Sequence, residues 1–559
     1  MNDKFIEVEE FDKDEEGTIE IINKKKIPHK KNSSLSKRIV LFSSIIFATI
    51  IILNRNTLSK YAINFLNNTI LKNPFNDSEH YDYDLIIVGA GLAGLSAAFE
   101  ANKLFQGKKK ILILEKNPRF GGDSAKATSG INILNSPLQE KEDLKDSFDL
   151  FYDDTMASGK YLSIPELVST LVNDSHYLFD FYTKEIKADL SQIAILGGHS
   201  IPRTVRPTKE TVGYHLVSST FNSLKNLSSV KFIYNATVKE LLTDEKKNYI
   251  TGLKYILNEN KTNIIKLTSK AIILATGGFG HDFDTHDSLL KEFAPKLVHF
   301  PTTNGIQTQG IGVKIGRKIG IKLYGMEHIQ LHPTGLVNLN DRYNYIKILG
   351  PELLRGVGGI LVNQKGERFC NELGTRDYVT KKIIENCELA KTDVIKQFES
   401  FLLINQKSID NYGGKINFYI QKGYLQKYNS FKELAEKYNI SNSYDNLIKT
   451  INEYNEACDT KNDKFGKRTF PQKFDLNDYI YGGIITPSIH YTMGGLLMDK
   501  NGELIKEDGT IMKGLYGAGE VTGGVHGGNR LGGNSLMECG VFGRRAAQAA
   551  VEYVYKFDK

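Results

Sequence analysis

Along the chain, the pattern of apolar and polar positions changes character three times. Residues 1–38 are polar, acidic from Glu7 to Glu16 and then basic from Lys24 to Arg38. Ile39 to Leu53 runs without a charge, broken only by Ser43, Ser44 and Thr49, and polar sequence returns over 55–81. From Asp82 onward, short apolar runs alternate with helical patterns, which predicts an α/β fold. Asp84-Leu-Ile-Ile-Val-Gly89 reads as a short buried strand and Leu92 to Phe105 as a helix rich in alanine and leucine. Lys110-Ile-Leu-Ile-Leu-Glu115 is a second buried strand, ending in an acid, and Ala271-Ile-Ile-Leu-Ala275 is a third.

Between the first strand and its helix lies Gly89-Ala90-Gly91-Leu-Ala-Gly94. In a dinucleotide-binding turn the first glycine permits the tight bend, the second admits a pyrophosphate, and the third lets helix and strand pack closely. The diphosphate faces the positive end of the helix. Glu115 would accept hydrogen bonds from the adenosine ribose, with Lys116 beside it. The segments downstream of Glu115 favour FAD over NAD. Gly121-Gly122-Asp123-Ser124 and Thr128-Ser129-Gly130 form a small-residue loop suited to a bulky ring system. Thr276-Gly277-Gly278 and Gly514-Leu-Tyr-Gly517-Ala-Gly519-Glu520 add two more glycine-rich strand exits, far apart in sequence. Together they imply one large cofactor wrapped by discontinuous segments.

Composition narrows the class. The 559 residues are 40% hydrophobic and 25% charged, which excludes a disordered chain, a fibre and a multi-span membrane protein. The net charge of +7 is small for this length and gives little support for a nucleic-acid partner. Cys370, Cys387, Cys458 and Cys539 are too widely spaced for a CxxC zinc, iron–sulfur or haem-attachment site. His328 and His332 lie four apart without a partner glutamate or cysteine, so no metal is assigned.

The uncharged run predicts a single transmembrane signal-anchor over 39–54, joined by a 55–81 linker to the globular part. As a helix, its apolar stretch spans roughly 22 Å against a ~30 Å hydrocarbon core. Lys37, Arg38 and Arg55 could snorkel to close the gap. Lysines and arginines are more numerous before the run than after it, which predicts a cytoplasmic tail and a globular part on the far side. Early acidic residues argue against a mitochondrial transit peptide, so the expected location is the endoplasmic reticulum lumen. A buried helix and a cleaved signal peptide are the competing readings of the run.

Further motifs carry a family resemblance. They are Leu331-His332-Pro-Thr334-Gly335, Glu352-Leu-Leu-Arg355-Gly356, Asn371-Glu-Leu-Gly-Thr-Arg376-Asp377, His490-Tyr-Thr-Met-Gly-Gly and His526-Gly-Gly-Asn529-Arg530-Leu-Gly-Gly-Asn534-Ser535-Leu536. With the glycine-rich segments, they make residues 82–551 resemble the soluble FAD-dependent fumarate reductases of the succinate dehydrogenase/fumarate reductase flavoprotein superfamily. The resemblance implies a Rossmann-like FAD-binding domain in two parts, 82–326 and 490–559, interrupted by an α+β capping domain at 327–489. FAD is expected to be contacted also by Asn534, Ser535 and Leu536. Because Asp123 stands where membrane-complex relatives carry the histidine that bonds FAD, binding should be non-covalent.

Fumarate is a planar dianion, so its site needs cations or donors at both ends. His332, Thr334, His490 and Arg530 are the expected substrate-binding residues, with Arg530 able to grip a carboxylate through its planar fork. By resemblance, Arg376 donates the proton, and Glu352 and Arg355 reprotonate it, while reduced flavin gives a hydride to the other alkene carbon. Arginine is an uncommon acid, its pKa lying above ~12, but a carbanion-like centre is basic enough to take its proton. Two departures stand out: Pro351 replaces a carboxylate-binding threonine of bacterial relatives, and Ile311 replaces an acid between two glycines. Within the superfamily the rivals are an L-aspartate oxidase, a ketosteroid dehydrogenase and a reductase of a larger enoate. A catalytically dead, membrane-tethered flavin-binding module is the non-enzymatic rival. The electron donor is not legible, and free reduced flavin is the candidate.

Overall fold

The computed structural model describes residues 7–13, 19–26, 81–283, 286–413 and 416–559, giving only the backbone of the first two segments and of residues 260–261. The expected anchor at 39–54 and nearly all of the linker lie outside the described residues. Among those described, no helix is long and apolar enough to cross a membrane. In the N-terminal unit, Glu7–Lys13 and Ile19–Lys26 pair antiparallel, a hairpin that the polar sequence had not suggested. Residues 80–559 form a second unit.

That unit opens with β1 (Tyr83–Val88), α1 (Leu92–Leu104) and β2 (Ile111–Leu114), within a residue or two of the elements expected from sequence. β3 (Val230–Ile233) and β4 (Asn260–Leu274) join the same sheet, the latter containing the apolar run from Ala271. Runs of Ile, Leu and Val suit strands covered on both faces. All side chains from Leu85 to Val88 and from Ile111 to Leu114 are accordingly buried.

The insertion begins with β5 (Ile329–Leu336), followed by the single turn α2 (Leu353–Gly356), β6 (Ile360–Val362), α3 (Arg376–Asn386) and β7 (Ser400–Asn405). β8 (Ile480–Thr492) brings the chain back to β9 (Ile511–Gly517) and the long terminal helix α4 (Asn534–Phe557). In the first sheet β9, β4, β1, β2 and β3 lie side by side and parallel. The register sets Leu274 beside Val88 and Gly517, and Val88 beside Leu114. Gly89, Glu115, Ala275 and Ala518 therefore leave the sheet along one edge. That edge, at the carboxyl ends of the strands, is where such sheets bind ligands.

The insertion has its own sheet and its own cores. Alternate side chains of a strand point to opposite faces. Thus Phe401 and Leu403 of β7, with Ile480 and Ile484 of β8, enter one apolar cluster. Leu402 and Ile404, with Tyr481 and Ile485, enter the other. The expected domain border at 489/490 falls inside β8, one continuous strand whose far end reaches the flavin-side loop at Thr302 and Thr303.

Candidate active site

A cavity of about 490 Å³ runs from the edge of the first sheet to the insertion. This lies within the range of cofactor and substrate sites. At its far end are the glycines of the β1–α1 turn. A Cβ on Gly94 would sit 2.0 Å from the Gly89 carbonyl oxygen, so only glycine lets α1 approach β1 this closely. At Gly91 a Cβ would meet nothing nearer than 3.5 Å, which leaves room over the turn. Gly91, as N-cap, offers α1 no side-chain cap; the Leu92 N–H donates to Ser124 Oγ (3.3 Å), and the N–H groups of Ala93 and Gly94 stay available to a phosphate. Glu115 accepts from the Ala90 N–H (2.8 Å) and the Asn117 N–H (2.8 Å), and lines the cavity with Lys116. Burial raises its carboxyl above the usual range against those bonds.

Further along, Gly122, Asp123, Ser124, Thr128, Ser129 and Gly130 form one wall, and Thr276, Gly277, Glu520, Ser535 and Leu536 another. The hydroxyls of Thr128 and Thr276 are buried without a partner. Gly533 starts α4 without a side-chain cap, so a second helix N-terminus adjoins the cavity. Burial, reinforced by Asp123, pushes Glu520 up to about 8 even though it accepts from the Thr492 N–H (2.9 Å). Unsatisfied hydroxyls, two uncapped helix ends and open glycines match the phosphates, ribityl chain and ring of FAD. Ala90, Gly94, Gly121, Gly278 and Asn534, also expected at the cofactor, are absent from the lining and build its frame. Gly121 N–H donates to Ala90, for example, and Asn132 donates to the Asn534 side chain at 2.7 Å.

At the other end His332, Arg376, His490 and Arg530 face the same cavity. β5 and β8 are neighbours, which sets the two imidazoles 4.9 Å apart, edge to face. Burial, then the charge of Arg376, holds both well below the usual histidine range, so both are neutral. His490 Nε2 accepts from Arg530 Nη2 (3.3 Å) and its Nδ1 donates to Thr303 Oγ1 (2.8 Å). His332 Nδ1 lies 2.9 Å from Thr334 Oγ1, whose own proton goes to the Gly350 carbonyl (2.6 Å). Thr334, expected at the substrate, thus stands behind His332, on β5 and outside the lining. Burial and Arg376 depress Arg530 to about 10, which leaves it cationic. Among the described residues no acid pairs with it: its guanidinium lies 4.4 Å over the Tyr491 ring, and its Nε is buried without a partner.

The proton-handling residues expected from sequence converge behind this surface. Arg376, first residue of α3, donates from Nε to Glu352 Oε2 (2.8 Å) and from Nη1 to Gln330 Oε1 (2.8 Å). Glu352 Oε1 accepts the Gly197 N–H (2.6 Å). Burial pushes the Glu352 carboxyl up, but Arg376 and Arg355 overcome that and hold it below its usual range. Glu352 and Arg355 share the turn of α2, yet Arg355 donates to the Glu372 carbonyl rather than to Glu352. Glu372 itself is fixed by Arg368 (2.8 Å) and Lys467 (3.0 Å), an ionic anchor for the loop that leads into α3.

Several participants had gone unread in the sequence. Gln330 ties Arg376 to the Arg530 carbonyl (2.9 Å), and strand alternation with His332 was its only signal. Tyr491 is held by Glu538, which accepts from its hydroxyl (2.5 Å) and from His526 (3.0 Å). Gly305, Gln307 and Thr308 donate to Asp123, and the run of small and polar residues from Thr302 could have flagged this loop.

The FAD binding domain family model matches residues 84–536. Fumarate reductase 1 of Saccharomyces cerevisiae is 37% identical over 475 residues, covering 83% of this chain and 98% of the yeast protein. The fumarate reductase of Schizosaccharomyces pombe is 36% identical, over 85% of this chain and 91% of its own. Among solved structures, the open conformation of a flavocytochrome c3 fumarate reductase superposes with a TM-score of 0.66. It is 26% identical, covering 84% of this chain and 78% of that one. The chain belongs to the FAD-dependent fumarate reductases of the succinate dehydrogenase/fumarate reductase flavoprotein superfamily.

Proposed function

We propose that the protein reduces fumarate to succinate, with Arg376 as the proton donor. The observation that carries this reading is the 2.8 Å bond from Arg376 to the buried Glu352, beside a cationic, donor-rich cavity wall. FAD, when bound and reduced, supplies the hydride. Arg530 grips one carboxylate of the dianion, and His332 and His490 receive the remaining charge. His490 commits its Nδ1–H to Thr303, so its Nε2 donates to a carboxylate once the ring takes up a proton, whereas His332 Nδ1 accepts the Thr334 N–H (3.2 Å), which leaves its Nε2–H as the donor. Gln330 and Glu352 hold the Arg376 guanidinium from two sides and leave its remaining N–H toward the cavity. Glu352, stabilised as a carboxylate, draws the replacement proton toward Arg376, and Arg355 supports its charge.

Asp123, clamped by the 305–308 loop, leaves no histidine at that position to attach the cofactor, so we read FAD as non-covalently held. We take free reduced flavin as the electron donor, since the cysteine spacing provides neither haem nor iron–sulfur relay. Residues 39–53 we read as a membrane anchor with the catalytic region in the endoplasmic reticulum lumen, on the uncharged run, the charge asymmetry about it and the acidic start of the chain. The test of function is turnover by dithionite-reduced protein with fumarate, L-aspartate, a 3-ketosteroid or a larger enoate. Fumarate is expected to be the preferred substrate. Reaction with another of these, and none with fumarate, overturns the reading.

A further inference from the structure

The carboxylate of Glu352 is held from two parts of the chain. From the insertion, Arg376 Nε donates to Oε2 (2.8 Å). From the flavin-binding part, the Gly197 N–H donates to Oε1 (2.6 Å). A Cβ on Gly197 would lie 2.8 Å from Glu352 Oε1 and 2.7 Å from the Gly374 carbonyl oxygen, so only glycine lets this loop press against the acid. Two backbone bonds of the loop are long: Gly198 N–H to the Leu373 carbonyl (3.3 Å) and His199 N–H to that of Leu196 (3.4 Å). The firmer tie is the His199 side chain.

His199 Nδ1 lies 3.2 Å from Arg203 Nη1, and its Nε2 lies 2.8 Å from the Gly532 carbonyl oxygen. Arginine has no acceptor and a carbonyl has no proton to give, so Nδ1 accepts and Nε2 carries the hydrogen. Burial, then the charge of Arg203, pushes His199 down to about 4, in keeping with a neutral ring. Both partners are themselves fixed. Arg203 is fully buried and donates to Asp146 (2.9 Å) and to Asp154, which also accepts the Ser200 N–H (2.8 Å). Gly532 also accepts from Asn132 Nδ2 (2.7 Å), and a Cβ on it would lie 3.0 Å from Glu352 Oε2. One imidazole thus pins the loop bearing the Gly197 N–H to a segment that lies against the other oxygen of the same carboxylate.

The charged and titratable groups that act on Glu352 are Arg376 from α3, Arg355 from its own turn, Arg530 from the loop before α4, and His199. Arg203 and Asp154 stand behind His199. Among these groups only Arg376 bonds to the carboxylate, so the Gly197 N–H is what holds its second oxygen. We infer that His199 is a positioning residue for proton transfer: by fixing the 197–199 loop on Gly532 it keeps the Gly197 N–H on Glu352, and Glu352 aligned with Arg376. The role rests on the fumarate reductase reading.

Three variants of the FAD-loaded protein, reduced with dithionite, are assayed with fumarate across a range of pH. His199→Gln carries an amide N–H out to the Nε2 position, toward Gly532. His199→Asn puts an oxygen near the Nδ1 position, toward Arg203, and falls short of Gly532, while His199→Leu makes neither bond. In the Asn and Leu variants kcat is expected to fall about tenfold, the weight of one buried hydrogen bond. The KM for fumarate should stay unchanged, because Gln330 and Asn132 still hold the segment after Arg530. Weakening the Gly197 bond destabilises the Glu352 carboxylate and raises its pKa, so the acid limb of kcat should move to higher pH in both. His199→Gln should restore kcat and the limb together. Unaltered kcat and pH limb in the Asn variant overturn the role, as does a loss in His199→Gln as deep as in His199→Leu. A fall that vanishes when turnover is expressed per bound FAD also overturns it. If His199→Leu does not fold, the Asn and Gln variants decide. Failure of the unaltered protein to reduce fumarate with dithionite overturns the fumarate reading, and the role of His199 with it.

Discussion

The two ends of the cavity are built on different principles. At the adenosine end the work is done by backbone: glycines, uncapped helix N–H groups and one acid, all within the continuous stretch from Gly89 to Glu115. At the substrate end it is done by side chains from β5, α2, α3, β8 and the loop before α4, brought together by the insertion's sheet, in which β5 and β8 pair, and by hydrogen bonds across to the neighbouring loops. Phosphates and ribose are held by groups that local chain geometry supplies. A proton path needs ionisable side chains at chosen heights, which only tertiary packing supplies.

If this division is right, damage at one end should spare the other. The largest expected effect is at the substrate end: Arg376→Lys keeps a charge but loses the fork that meets both Glu352 and Gln330. Fumarate turnover should fall by about 10²–10⁴, the usual weight of a positioned proton donor. The flavin absorbance spectrum and FAD content should be unchanged. At the other end, Gly94→Ala drives a Cβ into the Gly89 carbonyl oxygen, and overpacking of this kind costs about 1–3 kcal/mol. FAD should be lost on gel filtration and thermal unfolding should come earlier, whereas reconstitution with excess FAD should recover turnover.

Legibility in the sequence followed the same division. The β1–α1–β2 unit and Glu115 could be read because their partners are sequence neighbours and their glycines have one steric explanation each. The motifs of the substrate end named Arg376, Glu352, His332, His490 and Arg530, but not how they meet. Glu352 and Arg376 are 24 positions apart, and Gln330 and Arg530 are 200 apart, so no periodicity links them. Thr334 looked like a substrate ligand beside His332, and only the fold puts its hydroxyl on Gly350. Gly278 and Asn534 resembled cofactor contacts because glycine and asparagine suit both a lining and a frame, and only packing separates the two.

Smaller effects sharpen the picture within the substrate end. Tyr491→Leu removes the aromatic face under Arg530 without touching its charge. A cation–π contact is worth about 0.5–2 kcal/mol. The KM for fumarate should therefore rise several-fold while kcat changes little, and Tyr491→Phe should retain most of the affinity. Last is a pH effect of defined sign. His332 and His490 are held neutral in the free site, with pKa values below the ordinary ~6.5, and a bound dianion raises them. Binding then takes up protons, so the Kd for fumarate or succinate should rise with pH, by up to about tenfold per pH unit for each proton taken up. Calorimetry in buffers of different ionisation enthalpy reads that uptake directly. A pH-independent Kd with no proton uptake contradicts protonation of the imidazoles on binding.

Different as they are, the two ends serve one reaction: a flavin held by the backbone end discharges into a dianion held by the side-chain end. A single-turnover experiment addresses this coupling without an intermediary. The FAD-loaded protein is reduced anaerobically with one equivalent of dithionite and mixed with fumarate in a stopped-flow instrument while the flavin absorbance is followed. Full return of the oxidised flavin spectrum is expected, with one succinate formed per flavin and a large slowing of that return in Arg376→Lys. Flavin that stays reduced in the presence of fumarate, or that reoxidises equally fast in the variant, would contradict the coupling.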